Sequence, residues 1–413
     1  MPNAPVRLFE KTLKLPGYPP GPDERVPLFF QDGHIRIYPY PLRDHITFKK
    51  QTLQVRALGL ENEHVRVLVT PCFGGHVWSF YDKRRKREVF YTPDLVKPGL
   101  IRLPGAWMPL GLEFNFPNGH TPMSMSPVAA SARKLPDGAA GIVVGDVDLM
   151  TRMRWQVEVS LRPGVAAMDV SVRLSNPMPR RQRWYFWANA GVEVSEGWQF
   201  LCPARYGREA WTGGQFDFPV HRGRDVTRYT NYDGGGEVFV AGVAEDFFGC
   251  YDHDSGEGIV HVADWRAMRG KKFFTWGSGP EGKVWGRMFC DKPVRHYAEI
   301  QCGPLETQAD REWFPPYGER SWSDRWYPVA GTGPFFFATA QLALGVRGAG
   351  AKRKLTLFPC EDLGPATLEL RLGKAVRRTR LTLRAGRRAE AACGGEGVSG
   401  RACGMRKGAC WWT

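Results

Sequence analysis

Apolar and polar side chains alternate every second residue in one stretch after another of this chain, and that period sets its fold class. Trp155-Gln156-Val157-Glu158-Val159-Ser160-Leu161, Met168-Asp169-Val170-Ser171-Val172-Arg173-Leu174 and Ala366-Thr367-Leu368-Glu369-Leu370-Arg371-Leu372 are clear cases. Residues 65–70, 258–263 and 337–344 continue the series. A strand turns successive side chains to opposite faces, so each stretch reads as a strand. No helical period persists beyond two or three turns. The 48 glycines and 32 prolines punctuate the alternating stretches, as turns require. Many strands at short spacing predict an all-β sandwich or barrel.

The chain has 413 residues, 43% of them hydrophobic, enough for a large core. No stretch approaches 18 consecutive apolar residues, so no membrane span is expected. Met1-Pro2-Asn3-Ala4-Pro5 lacks the basic and apolar regions of a signal peptide. The nine cysteines are odd in number and show no CxxC spacing. They read as free thiols of a cytoplasmic protein rather than a disulfide framework or zinc site. Residues 351–413 carry 14 Lys/Arg against 5 Asp/Glu, so +9 of the net +15 lies there. A charge concentrated at one end argues against a nucleic-acid-binding face on the main domain.

The same reading divides the chain. Residues 1–60 are Pro-rich and read as an extended segment covering a sheet edge. Residues 61–350 read as the main sandwich and 351–385 as further strands. From Gly386 the apolar period fails, and 386–413 is expected to be a disordered basic tail.

Four long motifs follow in order. The first runs from Leu60-Glu61-Asn62-Glu63-His64 to Gly74-Gly75-His76-Val77-Trp78-Ser79 and Asp82-Lys83. The second contains Lys97-Pro98-Gly99, Gly105-Ala106-Trp107 and Gly111-Leu112-Glu113-Phe114-Asn115-Phe116-Pro117-Asn118-Gly119-His120. The third is Trp187-Ala188-Asn189-Ala190-Gly191-Val192. The fourth runs from Tyr251-Asp252-His253 through Gly270-Lys271-Lys272-Phe273-Phe274-Thr275-Trp276 to Tyr297-Ala298-Glu299-Ile300-Gln301 and Trp326-Tyr327-Pro328. Over roughly residues 26–345 this set closely resembles the bacterial DUF5107 family. The resemblance implies a galactose mutarotase-like β-super-sandwich, the fold shared with aldose epimerases. Members often continue into tetratricopeptide repeats, and no repeat period is visible here.

The resemblance also implies roles. Gly111 and Asn115 fall where epimerases have a glycine and a substrate-binding Asn. Glu299-Ile300-Gln301 is similar to the Glu-x-Gln whose Glu is the epimerase general base. Glu306-Thr307-Gln308 resembles it locally, but the distance from Glu299 to Pro316-Tyr317-Gly318-Glu319 fits better. The epimerase histidine is missing from Trp184-Tyr185-Phe186-Trp187-Ala188-Asn189.

Chemistry at an anomeric carbon needs two proton-transfer groups, or an acid and a nucleophile. Glu299 and Glu113 are the candidate pair, with His120 as a further acid. Glu113 sits among Trp107, Asn115, Asn118 and His120, an aromatic setting that suits a raised pKa. Asn115, Asn189 and Gln301 offer donor and acceptor together, as vicinal hydroxyls require. Trp107, Trp276 and Lys272 are candidate rim contacts and His76 a candidate substrate contact, although Lys271-Lys272 also reads as a solvated turn. Asp252-His253-Asp254 lacks a metal-ligand set, so no metal is assigned. No Walker loop, GxGxxG or GxSxG is present, so no cofactor is expected. The function expected is a sugar-transforming enzyme acting on a saccharide, glycosidase-like. The alternatives are a non-catalytic saccharide-sensing module or an aldose epimerase.

Overall fold

The alternating stretches become strands whose apolar sides face one another. In the computed structural model Val157 of the strand Arg154–Leu161 stands opposite Val172 of Met168–Ser175, and Glu158 opposite Ser171. Valines from both strands enter one core, while the polar partners face outward. The structure describes residues 3–24, 38–102, 105–117, 120, 124–209, 212–291, 295–349, 352–372, 375–393, 403–406 and 409–412.

Two large sheets enclose this core. The larger has 12 strands. Its central run is His76–Asp82, Leu112–Asn115, Trp187–Glu193, Tyr297–Gly303, Gly270–Thr275 and Gly236–Ala241. Neighbours in that run are far apart in sequence, so the fold gathers the separate motifs. The second sheet has 8 strands, among them Glu257–Ala263, Glu319–Ala330 and Met168–Ser175. Arg7–Gly17 and Gln51–Glu61 pair along their whole length at the edge of the larger sheet. Pro280–Phe289 is the α-helix among the described residues. It starts on Pro280, has Glu281 in its first turn and Arg287 in its last, as the helix dipole favours. No described helix is long and apolar enough to cross a membrane.

The C-terminal part departs from the expected division. Phe335–Ala338 and Leu342–Arg347 do not join the sandwich sheets but pair with Lys354–Pro359 in a separate sheet. The order expected to end at Gly386 continues, because Ala389–Ala392 adds a fourth strand to that sheet. Small side chains gave this strand no visible apolar period, but its backbone completes the ladder and Ala391 enters a local core. Cys403–Arg406 and Ala409–Trp412 are also strands.

Candidate functional site

Alternation on the larger sheet separates core from site. In Tyr297–Gly303, Ala298, Ile300 and Cys302 enter the sandwich core, which turns Tyr297, Glu299 and Gln301 to the other face. In Leu112–Asn115, Leu112 and Phe114 go inward, leaving Glu113 and Asn115 outward. In Trp187–Glu193, Ala188, Ala190 and Val192 go inward, leaving Trp187 and Asn189 outward. Register aligns them: Glu113 opposes Asn189, Asn189 opposes Gln301, and Gln301 opposes Lys272. Glu299 lies one step along, between Gly191 and Phe274.

Hydrogen bonds join the row. Glu113 Oε2 accepts from Trp107 Nε1 at 3.4 Å and from Asn189 Nδ2 at 3.2 Å, and Oε1 accepts from the Ser124 hydroxyl. Glu299 accepts from Tyr297 Oη at 2.9 Å and from the Gln301 amide. Gln301 Oε1 accepts from Trp187 Nε1, and Gln308 lies within reach of it at 3.4 Å. Lys272 donates to Gln308 at 3.2 Å and pairs with Glu237. Both glutamates are 3% exposed. Trp107 roofs this end of the face. Its ring stands 5.5 Å from Phe289 of the helix, 5.8 Å from His120 and 6.3 Å from Tyr297.

The two carboxyls are driven in opposite directions. Burial alone would raise Glu113, but the His120 and His76 rings and the Ser124 hydroxyl outweigh it, holding its carboxyl well below the usual range. His120 Nδ1 is 3.6 Å and His76 Nε2 4.0 Å from the carboxylate. Burial raises Glu299, and the attraction of His120 and Lys272 does not overcome it. His76 is pushed by burial down to about 4, so its ring is neutral near pH 7. His120, with 28% of its side chain exposed, is the ring that influences both carboxylates and also reaches the surface. Asn189 Oδ1 and both ring nitrogens of His76 are buried without a hydrogen-bond partner. Such groups cost ~1–3 kcal/mol each.

The fold therefore brings together Glu113, His120, His76, Asn115, Asn189, Gln301, Glu299, Trp107 and Lys272. Glu113 has the opposite perturbation to the expected one, because the two histidines outweigh its aromatic surroundings. Lys272 is not on a rim or solvated turn. It is 3% exposed in a strand, with its ammonium 4.9 Å from the Phe239 ring and 5.5 Å from Phe274. Trp276 stands aside from the row, stacked on Trp285 at 4.0 Å. Glu306, the look-alike of Glu299, pairs with Arg208 at 3.3 Å, with both side chains about a third exposed. Trp326, which follows Glu299 in the fourth motif, is fully buried in the sandwich core. Asn118 lies outside the described residues. Tyr297 and Trp187 were reachable from sequence by counting two residues from Glu299 and Asn189. Ser124 and Gln308 arrive from loops and carry no periodic signal.

Comparison with known proteins agrees with this architecture. The family model described as "Domain of unknown function (DUF5107)" matches residues 33–329. A TPR-domain containing protein from Parabacteroides distasonis ATCC 8503 is similar at 24% identity and TM-score 0.72, over 79% of this chain and 56% of that one. The chain thus spans a little over half the length of that protein. A galactose mutarotase-like protein from Clostridium acetobutylicum is similar at 12% identity and TM-score 0.50, over 67% of this chain and 96% of that one. At these identities the likeness establishes the fold, an all-β galactose mutarotase-like sandwich, as the sequence predicted.

Proposed function

Because the chain belongs to the DUF5107 family and carries its motif glutamates on one face of a mutarotase-like sandwich, we propose that this face binds a saccharide and acts at its anomeric centre by acid/base catalysis. The observation that carries this reading is the division between the two carboxyls. A pair of titratable groups pushed apart by their surroundings is how a site keeps an acid and a base at one pH. Glu299, raised, takes a proton more readily and acts as the acid; Glu113, lowered, gives its proton up more readily and acts as the base. His120 lies near both and reaches solvent, which suits proton exchange. Asn115, Asn189 and Gln301 hold hydroxyls, with the unpartnered Asn189 Oδ1 as acceptor. Trp107 offers an apolar ring.

Glu113 and Glu299 are two strands and two residues apart, so their Cα atoms are separated by about 12 Å. The gap between their carboxyls would decide the outcome, ~6.5–9.5 Å for inversion and ~5 Å for retention. A second reading, aldose epimerisation, is favoured by His76. Its ring nitrogens are unpartnered beside Glu113, and it could supply the histidine missing from the Trp184–Asn189 segment. The seven cysteines among the described side chains are all free, which suits a reducing cytoplasm.

The test is a turnover screen on oligosaccharides, aryl glycosides and free aldoses, comparing wild type with Glu299→Gln. The substitution is expected to lower kcat by roughly 10²–10⁴ while leaving the far-UV spectrum unchanged. Turnover unaffected by it would sink the assignment. Binding without turnover in the wild type would favour the sensing-module reading.

A further inference from the structure

The strand that presents Glu299 and Gln301 outward turns a different group inward. Cys302 enters the sandwich core, where it meets His261 and Asp324 of the second sheet. These two lie diagonally on paired strands, since His261 opposes Trp326 and Ala263 opposes Asp324. His261 and Cys302 are 0% exposed and Asp324 is 6% exposed. Cys302 Sγ is 3.6 Å from His261 Nε2, and Asp324 Oδ2 is 3.6 Å from the same nitrogen. One ligand atom from each residue lies within 4.8 Å of the others.

The arrangement is not a nucleophilic relay. A relay sets the nucleophile on one ring nitrogen and the carboxylate on the other. Here thiol and carboxylate converge on Nε2, while the buried Nδ1 has no partner. Convergence of sulfur, imidazole nitrogen and carboxylate oxygen is what a borderline-soft dication uses. With Zn–S ~2.3 Å and Zn–N ~2.0–2.1 Å, tetrahedral geometry puts sulfur and nitrogen about 3.6 Å apart. The sulfur–nitrogen distance already matches; the thiol and carboxylate need to approach by roughly 1 Å. The other Asp324 oxygen accepts from Trp326 Nε1 at 3.1 Å, as an outer partner that orients a ligating carboxylate. Aromatic rings enclose the imidazole, Phe248 at 4.7 Å and Trp326 at 4.5 Å. In such a dry place a thiolate and a carboxylate together balance a 2+ ion. Lys271, the cross-strand partner of Cys302, directs its nitrogen to the Met268 carbonyl at 2.9 Å.

We propose that Cys302, His261 and Asp324 form a buried site for a divalent ion of the zinc class, which staples the two sheets together directly behind Glu299 and Gln301. Binding exchanges the Cys302 thiol proton for the metal and releases that proton to solvent; no electron moves. The three protein ligands leave one tetrahedral position for a water or an anion.

The group lies inside the sandwich, so the metal enters as the chain folds. Full-length protein from zinc-supplemented expression is desalted and its metal content measured. A parallel sample is unfolded with chelator and refolded with Co²⁺. The expected results are about one zinc per chain, a lower Tm for protein refolded without metal, and a thiolate-to-cobalt charge-transfer band. Cys302→Ser and His261→Asn lose metal and band, whereas Cys72→Ser, a half-buried thiol elsewhere, keeps both. If the first two variants fail to fold, the wild type decides. Folded wild type without stoichiometric zinc and without a cobalt band overturns the proposal, as does full zinc content in folded Cys302→Ser.

Discussion

Two glutamates of identical chemistry behave differently here because their neighbours differ. Glu113 has imidazoles and a hydroxyl around it; Glu299 has a phenol, an amide and little solvent. His76 makes the first prediction. Its folded pKa of about 4 lies below the ordinary 6.5, so on acidification the unfolded chain takes the proton first. The stability His76 contributes is present above pH 6.5 and is lost as pH falls towards 4, about 3 kcal/mol in all at ~1.4 kcal/mol per unit. Glu113 acts in the same sense, below the ordinary carboxylate range. Glu299 acts oppositely: its contribution is present below that range and lost as pH rises through its raised value. Denaturant midpoints at pH 7 and 4.5 are therefore expected to differ more for wild type than for His76→Asn. Much of this site was legible in the sequence because Glu113, Asn189, Glu299 and Gln301 sit in long motifs on alternating strands. Lys272 was legible only as a rim contact or a wet turn, since two lysines after a glycine look solvated, and not as a buried member of the row. What overrides that reading is an acidic partner, Glu237, with the Phe239 ring, both from the neighbouring strand, and the Phe274 ring of its own strand.

At the scale of elements, the site depends on strand register more than on any loop. A slip of one residue in Tyr297–Gly303 would send Glu299 and Gln301 into the core and Ile300 outward. Small residues in adjacent strands make room for the large ones on this face. Gly191 opposes Glu299, and a Cβ there would stand 2.6 Å from the Tyr297 ring. Gly191→Ala is expected to cost about 1–3 kcal/mol and to displace the Tyr297 hydroxyl from Glu299. Thermal melts measure the first effect; loss of the raised Glu299 titration with the fold retained measures the second. The strands themselves could be read from period two. Their partners could not, because Glu113 meets Asn189 across 76 residues, and the strand of Asn189 meets that of Glu299 across more than a hundred.

At the scale of the whole molecule, the C-terminal strands are joined to the sandwich by a shared core. Phe335, Ala343 and Phe358 pack with Phe247, Val260, Tyr327 and Val329 of the second sheet. The family match ends at residue 329, inside that contact. A chain ending at Ala330 would uncover several of these side chains, each worth ~1.5–3 kcal/mol when fully buried. That loss is comparable with the ~5–15 kcal/mol that holds a domain folded. The truncated chain is expected to melt well below the full one or to aggregate, as calorimetry and light scattering would reveal; equal stability would mean the C-terminal strands contribute little. The sandwich itself was visible in the alternating pattern, but this attachment was not, because residues 331–350 continue the same period without marking a change of sheet. The central claim is that one sheet face raises the pKa of one carboxyl and lowers that of another beside it. Carboxyl-carbon NMR titrations of wild type, Glu113→Gln and Glu299→Gln test it most directly, without needing the sugar. The expected result is one resonance, lost in Glu299→Gln, that titrates above the ordinary glutamate range, and another, lost in Glu113→Gln, that titrates well below it. Two resonances titrating together at ordinary values would contradict the account.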